Sequence, residues 1–454
     1  MVNKMTTPIV DFVKKYTDSK ALRLHMPGHK GEHFLGAESL DITEVEGADV
    51  LYNSKGIIRE SEENATKIFG SKKTVYSTEG SSLSIRAMLY LIKIYAKTIG
   101  VKPIIAAGRN AHKTFVTACG LLGLDPVWLL PENATDVISC KITADFLEQY
   151  LSNCSEKPVA VYVTSPDYLG NTADIKALSE ICKKHKVLLL VDNAHGAYLK
   201  FLDVSRHPID FGADICCDSA HKTLPVLTGG AYLHISNNAP DFFSQNAEKA
   251  MSLFASTSPS YLILQSLDMA NKYLAENYGE KIKNTALAVG ALKRELLDNG
   301  YELVGNEPLK LTIKTKAYGY AGYEMAEILA EQNIICEFSD PDYIVMMFTP
   351  QILNSQIELI KHELLKIKRK KSIKIAPPHS ILRKKEISIC EAINLPSIEI
   401  SVEESKGKIA AAPTVNCPPA VPIVICGEKI DSMAIDNFKY YGIKKCLVID
   451  EFLK

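Results

Sequence analysis

The sequence predicts an α/β protein with a mostly parallel central sheet, a smaller α/β domain and a C-terminal domain. Three observations carry this. From about residue 100, short apolar runs alternate with helix-length amphipathic stretches, the pattern of β-α-β units. The run VLLLV at 187–191 is continuous rather than alternating, as a strand covered on both faces should be. After about residue 270, long helical stretches precede short strands, marking a change of domain.

In order, Lys102–Ala107 reads as a strand, His112–Leu122 as a helix and Pro126–Leu130 as a strand. Ala144–Leu151 (helix), Val159–Thr164 (strand), Ala173–His185 (helix) and the strands Val187–Asp192 and Asp214–Asp218 follow. Beyond them come helices at Leu262–Tyr278 and Asn284–Asn299, then strands at Leu309–Thr315, Ile334–Phe338 and Tyr343–Phe348, and a helix at Gln351–Ile367. The basic run KIKRKKSIKIAPPHS reads as a solvated linker in preference to a phosphate or RNA patch. A small C-terminal domain with a Pro-rich loop, NCPPAVP, closes the chain. These shifts divide the sequence into an N-terminal segment (1–60), a large domain (61–270), a small α/β domain (271–370) and a C-terminal domain (371–454).

Composition narrows the functional classes. The 454 residues are 46% hydrophobic and 23% charged, the ordinary globular range. With 52 Lys and Arg against 53 Asp and Glu, the net charge of -1 gives no reason to expect a nucleic acid or an anionic membrane as partner. There is no membrane-length apolar run, and the N-terminal MVNKMTTPIVDFVKKY lacks the apolar core of a signal peptide, so a soluble cytoplasmic protein is expected. Eleven cysteines without a C-x-x-C pair read as free thiols in a reducing compartment. His25, His29 and His33 repeat every four residues, but Pro27 and Gly28 disfavour the helix that would align them, and no metal is expected.

Three local groupings fall where open α/β sheets bind ligands, at the carboxyl ends of strands. The stretch Tyr76-Ser-Thr-Glu-Gly-Ser-Ser82 leads into the helical pattern LSIRAMLYLIKIY and reads either as a plain N-cap turn or as a phosphate cradle. Asp192 ends the buried strand and either caps a turn or faces a ring nitrogen of a cofactor. Lys222, in Ser219-Ala-His-Lys222, follows a strand and precedes a Thr-Gly-Gly turn; it is either a snorkelling surface lysine or a Schiff-base nucleophile. Their order joins them: an anion turn, a strand-end Asp, and a Lys thirty positions on (192 to 222) is the arrangement of the large domain of fold-type I pyridoxal-phosphate enzymes.

The segments LHMPGHKG, DITEVEGADVLYNSKGIIRESEENATKIFG, GRNAHKTF and DSAHKTLPVLTGGAYLH resemble the Orn/Lys/Arg decarboxylases over nearly the whole chain. The resemblance implies the aspartate-aminotransferase-like fold (fold type I), pyridoxal 5'-phosphate (PLP) as cofactor and decarboxylation of arginine, lysine or ornithine in polyamine biosynthesis. It assigns Lys222 to the Schiff base, Asp192 to the pyridine nitrogen and His112 to stacking on the ring. It assigns Gly80, Ser81, Ser82, Ser219 and His221 to the phosphate region and His195 to the vicinity of the ring. It further implies a homodimer whose sites are shared between subunits. The chain starts at the catalytic part, so the N-terminal wing domain of the large members is not expected.

Three positions depart from the family pattern: Glu79 before Gly80-Ser-Ser, Asn193 where many members carry Glu, and Cys417 where the family motif has Tyr. A basic substrate calls for an acid at its distal charge. Glu337, in ICEFSDPDY, is the first candidate, with Asp340 and Asp342 behind it; a solvated turn carboxylate is the alternative for each. A PLP aminotransferase or lyase would use the same Lys and Asp, and a silent PLP-fold regulator is the third possibility, disfavoured by the joint presence of Lys222, Asp192 and His112.

Overall fold

The computed structural model describes residues 5–131, 137–276, 278–379, 381–415 and 419–450. Strands β1 (Lys73–Ser77), β2 (Ile105–Gly108), β3 (Val127–Leu129), β4 (Ala160–Thr164), β5 (Leu188–Asp192), β6 (Ile215–Asp218) and β7 (Ala231–Ile235) form the α/β part. Strands β8 (Leu303–Val304), β9 (Lys310–Lys314), β10 (Phe338–Ser339), β11 (Tyr343–Met347), β12 (Ser397–Ser401) and β13 (Lys445–Ile449) follow. The chain divides into two compact units, residues 1–100 with 188–281 and residues 101–187 with 282–454.

In the first unit the strand order is β1-β7-β6-β5. β5 and β6 are parallel, and β7 runs antiparallel to both β6 and β1. All four residues of β6 and the last four of β5 are buried, which is why VLLLV carries no polar alternation. The Gly80–Thr98 helix buries Leu83, Ala87, Met88, Leu91 and Ile92, an i, i+4 stripe that faces the core. The Ile57–Phe69 helix ends at Gly70 in the left-handed conformation (φ 65°), a C-cap that glycine adopts without steric cost. The N-terminal helix, Pro8–Asp18, is anchored by Asp268, whose Oδ2 accepts the Ile9 and Val10 N–H groups at 3.0 Å each.

The second unit contributes β4-β2-β3, all parallel. The Lys113–Leu122 helix joins β2 to β3 and meets the Ile389–Asn394 helix at Gly120, where a Cβ would collide with Ile393. A second, antiparallel sheet follows in the order β10-β11-β9-β8. The antiparallel pair β12–β13 closes over a cluster that includes Val402, Ala410, Val424, Ile430, Phe438 and Val448. The expected α/β architecture with mostly parallel pairing in the central sheet is therefore present, with further antiparallel sheets after it.

Two expected elements differ. Only Phe338–Ser339 pairs in the stretch expected as the strand Ile334–Phe338. The Ile334 N–H instead bonds Leu329 O at 3.0 Å, so this apolar residue closes the end of the Gly322–Ala330 helix, helped by Asn333 at φ 57°. The helix expected from Asn284 starts at Tyr278, whose fully buried ring packs edge-on to Phe201. The basic segment after Lys366 has no regular structure but is not free in solvent: Lys370 N–H bonds Tyr318 O at 3.1 Å and Ile373 N–H bonds Lys316 O at 3.0 Å. Among the described residues, no helix is long and apolar enough to cross a membrane.

Candidate functional site

In the first unit, chain reversals after β1, β5 and β6 bring the expected residues into direct contact. β1 leads into the turn Ser77–Glu79, and the Gly80–Thr98 helix begins with Gly80, Ser81 and Ser82. Gly80 has φ 71°, donates its N–H to Gly229 O at 2.7 Å, and has no atom within 4 Å of where a Cβ would lie. Gly229 has φ 100°, and a Cβ there would stand 2.8 Å from Thr78 O. Glycine at both positions lets the two turns close on each other and leaves open space over Gly80. The first N–H groups of a long helix have no partners within it, and the Ser81 and Ser82 hydroxyls beside them are donors of the kind an anion cradle uses.

β6 ends at Asp218, and Ser219 and the short Ala220–Thr223 helix follow directly. Ser219 Oγ donates to Ser81 Oγ at 2.8 Å, which ties the lysine segment to the cradle. Lys222 Nζ lies 3.1 Å from His195 Nε2. His221 Nδ1 lies 3.0 Å from Gly230 O, and burial, with the Lys222 charge beside it, holds its imidazole below the usual range against the opposing pull of that carbonyl. Asp192, 2% exposed at the end of β5, accepts from Ala194 N–H at 3.2 Å and from Cys217 Sγ at 3.7 Å. Lys222, His195, Ser219 and Ser81 are thus linked pairwise, and Asp192 shares its turn with His195.

In the second unit, His112 caps the Lys113–Leu122 helix, its Nδ1 accepting Thr114 N–H at 3.2 Å. The loop before it is clamped to the C-terminal domain. Buried Arg109 donates to Pro422 O at 2.8 Å and Ile423 O at 3.1 Å and lies 3.6 Å from Glu428, while Lys113 N–H bonds Ala420 O at 2.8 Å. Glu337 lines an open cavity of about 670 Å³ with Tyr323, Tyr440 and Tyr441, and its Oε1 accepts from Tyr168 OH at 2.8 Å. Asp340 holds a turn through the Asp342 and Tyr343 N–H groups, both at 2.7 Å. Asp342 is paired with Lys316 and Tyr440 OH, at 2.9 Å each.

The profile of the Orn/Lys/Arg decarboxylase major domain matches residues 7–306. The chain belongs to the Orn/Lys/Arg decarboxylase family. An arginine decarboxylase of Bacillus subtilis is 30% identical over 468 residues, covering 96% of this chain and 92% of the relative. The uncharacterised protein YaaO of the same species is 28% identical over 469 residues, covering 95% and 94%. The crystal structure of the Francisella novicida lysine decarboxylase LdcF superposes with a TM-score of 0.78 at 16% identity, over 99% of this chain and 82% of that one, a likeness of fold. Membership makes this chain an amino-acid decarboxylase, and the fold is that of the fold-type I enzymes.

Two of the family departures have local roles in this decarboxylase. Glu79 Oε1 accepts Ser256 N–H at 2.7 Å, so the acid secures a neighbouring loop. Asn193 donates from Nδ2 to Asp218 Oδ1 at 2.7 Å. Cys417 lies outside the described residues. Arg109, Asp218, His207 and His234 were not among the sequence candidates. Arg109 and Asp218 adjoin the motifs that drew attention, but their partners are distant in sequence, and nothing short of the fold pairs Arg109 with Glu428 or Asp218 with His207.

Proposed function

We propose that this family member decarboxylates arginine to its amine and CO2 with bound PLP, lysine and ornithine being the alternatives within the same class. The observation that carries the reading is the linked set Lys222–His195 and Ser219–Ser81 beside Asp192. An amine, a strand-end carboxylate and a hydroxyl-lined helix N-terminus are the partners that an aldehyde, a ring nitrogen and a phosphate require, and a Cβ on Gly80 would meet no atom within 4 Å. PLP, when bound, supplies a sink for the electron pair left by CO2.

The chain's own residues do the rest. Ser81, Ser82, Ser219 and His221 would bind the phosphate, and Asp192 would keep a proton on the ring nitrogen, an interaction worth most in the transition state. Lys222 would hold PLP at its aldehyde carbon, and His195, 3.1 Å from the Lys222 Nζ, would take and return a proton there. The flat ring of His112, fixed by Thr114, serves as a packing face for the cofactor. Glu337 receives the substrate's distal cation, since Asp342 is already paired. In this division of labour residues 61–270 carry the cofactor contacts, 271–370 the substrate acid, and 371–454 hold the His112 loop.

Arginine as substrate rests on the relatives named arginine decarboxylase. A cytoplasmic homodimer is part of the same proposal: Leu22, Leu24, Phe34 and Leu35, 79–96% exposed in the N-terminal segment, are apolar surface suited to a second copy. Borohydride reduction of the PLP-loaded protein tests the cofactor assignment. The pyridoxyl label should fall on the Lys222 peptide; a label elsewhere, or none, would refute it.

A further inference from the structure

Asp218 is fully buried at the end of β6, between the cofactor-type turn and the core. Its Oδ2 accepts from His207 Nε2 at 2.9 Å and from His234 Nε2 at 3.2 Å, and its Oδ1 accepts from Asn193 Nδ2 at 2.7 Å. Both rings also have a partner on the far side. Thr74 Oγ1 lies 2.8 Å from His234 Nδ1 and itself meets Ser71 Oγ at 2.7 Å, while Ile209 N–H donates to His207 Nδ1 at 3.4 Å. His207 Nδ1 is therefore an acceptor, and the carboxylate, which can only accept, requires a proton on each Nε2 that faces it. The Asn193 amide is fixed by the same logic: with its oxygen toward Asp218, two acceptors would face each other at 2.7 Å.

Three side-chain donors thus converge on one carboxylate in a site with no exposed surface, the condition under which a buried anion persists. Asn193 is the residue next to Asp192 and two before His195, and its own N–H bonds Cys217 O at 3.0 Å. Pinning Asn193 fixes the turn that presents both Asp192 and the His195 ring beside Lys222. An acid at 193, as many family members carry, would set two carboxylates against each other in this dry site. The departure at 193 is therefore matched by Asp218.

We propose that Asp218 and Asn193 are interlocked positioning residues, the carboxylate holding the 192–195 turn and through it Asp192 and His195. The functional half of this claim rests on the PLP reading above; the interlock itself does not. His207, Cys216 and Asp218 also bring donor atoms within 4.8 Å of one another, as a metal set would, but both imidazole Nε2 protons already face the carboxylate.

The test is a cycle of Asn193→Asp, Asp218→Asn and the double exchange in the full-length protein, read by thermal unfolding, by PLP titration and by the pH midpoint of the cofactor's visible absorbance. Each single variant should weaken PLP binding about tenfold or more and move the absorbance midpoint, and the double should return to within about threefold of the parent. Rescue of unfolding temperature without rescue of PLP affinity or of the midpoint would reduce the pair to a structural role and overturn the positioning claim. Absence of any rescue would overturn the interlock, as would one zinc per chain in the purified protein. A parent protein that binds no PLP would sink the functional reading, and the unfolding cycle alone would then decide the interlock.

Discussion

In each unit of this decarboxylase a buried charge stands beside a sequence motif, and the two are held in opposite ways. Asp218 is a carboxylate surrounded by donors from His207, His234 and Asn193. Burial raises its pKa, but the two imidazoles more than offset this and hold the carboxyl well below the usual range. Arg109 is a cation facing a carboxylate 3.6 Å away and two backbone carbonyls, with the Trp128 ring 5.5 Å beneath it. Burial pulls its pKa down, and Glu428 opposes that pull. The first arrangement holds the turn that carries Asp192 and His195. The second fastens the loop before His112 to the C-terminal segment. A buried charge here marks a place where geometry matters more than stability, since an apolar pair could fill the same volume at lower cost.

The largest expected effect falls on Lys222, which the Asp218 side of the comparison serves. Lys222→Ala should reduce turnover to background while circular dichroism and the unfolding temperature stay close to the parent's; parent-like CO2 release would break the scheme. On the other side, Arg109→Met strands Glu428 in the interior and should cost about 3–5 kcal/mol in urea unfolding. Arg109→Met with Glu428→Gln should recover much of that, and equal losses in the single and double variants would show that the ion pair carries nothing.

Smaller effects sharpen the contrast. Glu337 has one hydroxyl partner in an open cavity, so Glu337→Gln should raise KM for the substrate about three- to tenfold with kcat nearly unchanged. An unchanged KM for every basic amino acid would remove Glu337 from the pocket. The smallest effect concerns Glu62, which accepts Tyr76 N–H at 2.9 Å near the end of β1. Burial pushes its carboxyl up to about 8; the Tyr76 N–H opposes this, and the Glu248 charge adds to it. A carboxyl whose pKa is raised on folding stabilises fully below its unfolded value, near 4.5, and loses that contribution as pH rises through about 8. Glu62→Gln mimics the protonated form, so its unfolding temperature should match the parent's near pH 4 and exceed it by a growing margin from pH 7 to pH 9. A variant less stable at pH 9 would reverse the sign of the argument.

The sequence was legible where one local signal sufficed. VLLLV announced β5, and the small residues Gly80-Ser-Ser before a long amphipathic stretch announced the start of the Gly80–Thr98 helix. It was not legible where apolar residues serve a cap. Ile334 and Ile335 read as a strand, yet Ile334 closes a helix and Ile335 is 80% exposed. Asp340 and Asp342 looked alike in ICEFSDPDY, and only the fold separates a turn acceptor from an ion-paired carboxylate. The Asp218 and Arg109 networks were invisible for a related reason: their partners lie in other turns, on β7 or after residue 419, at separations no motif records.

The most direct test of the central claim is the mass of the product formed when the purified, PLP-loaded protein meets arginine, lysine or ornithine, each alone. A product lighter than arginine by one CO2, with the other two amino acids turned over more slowly, is the predicted result. A keto acid from any of them, or no product from all three, would contradict it.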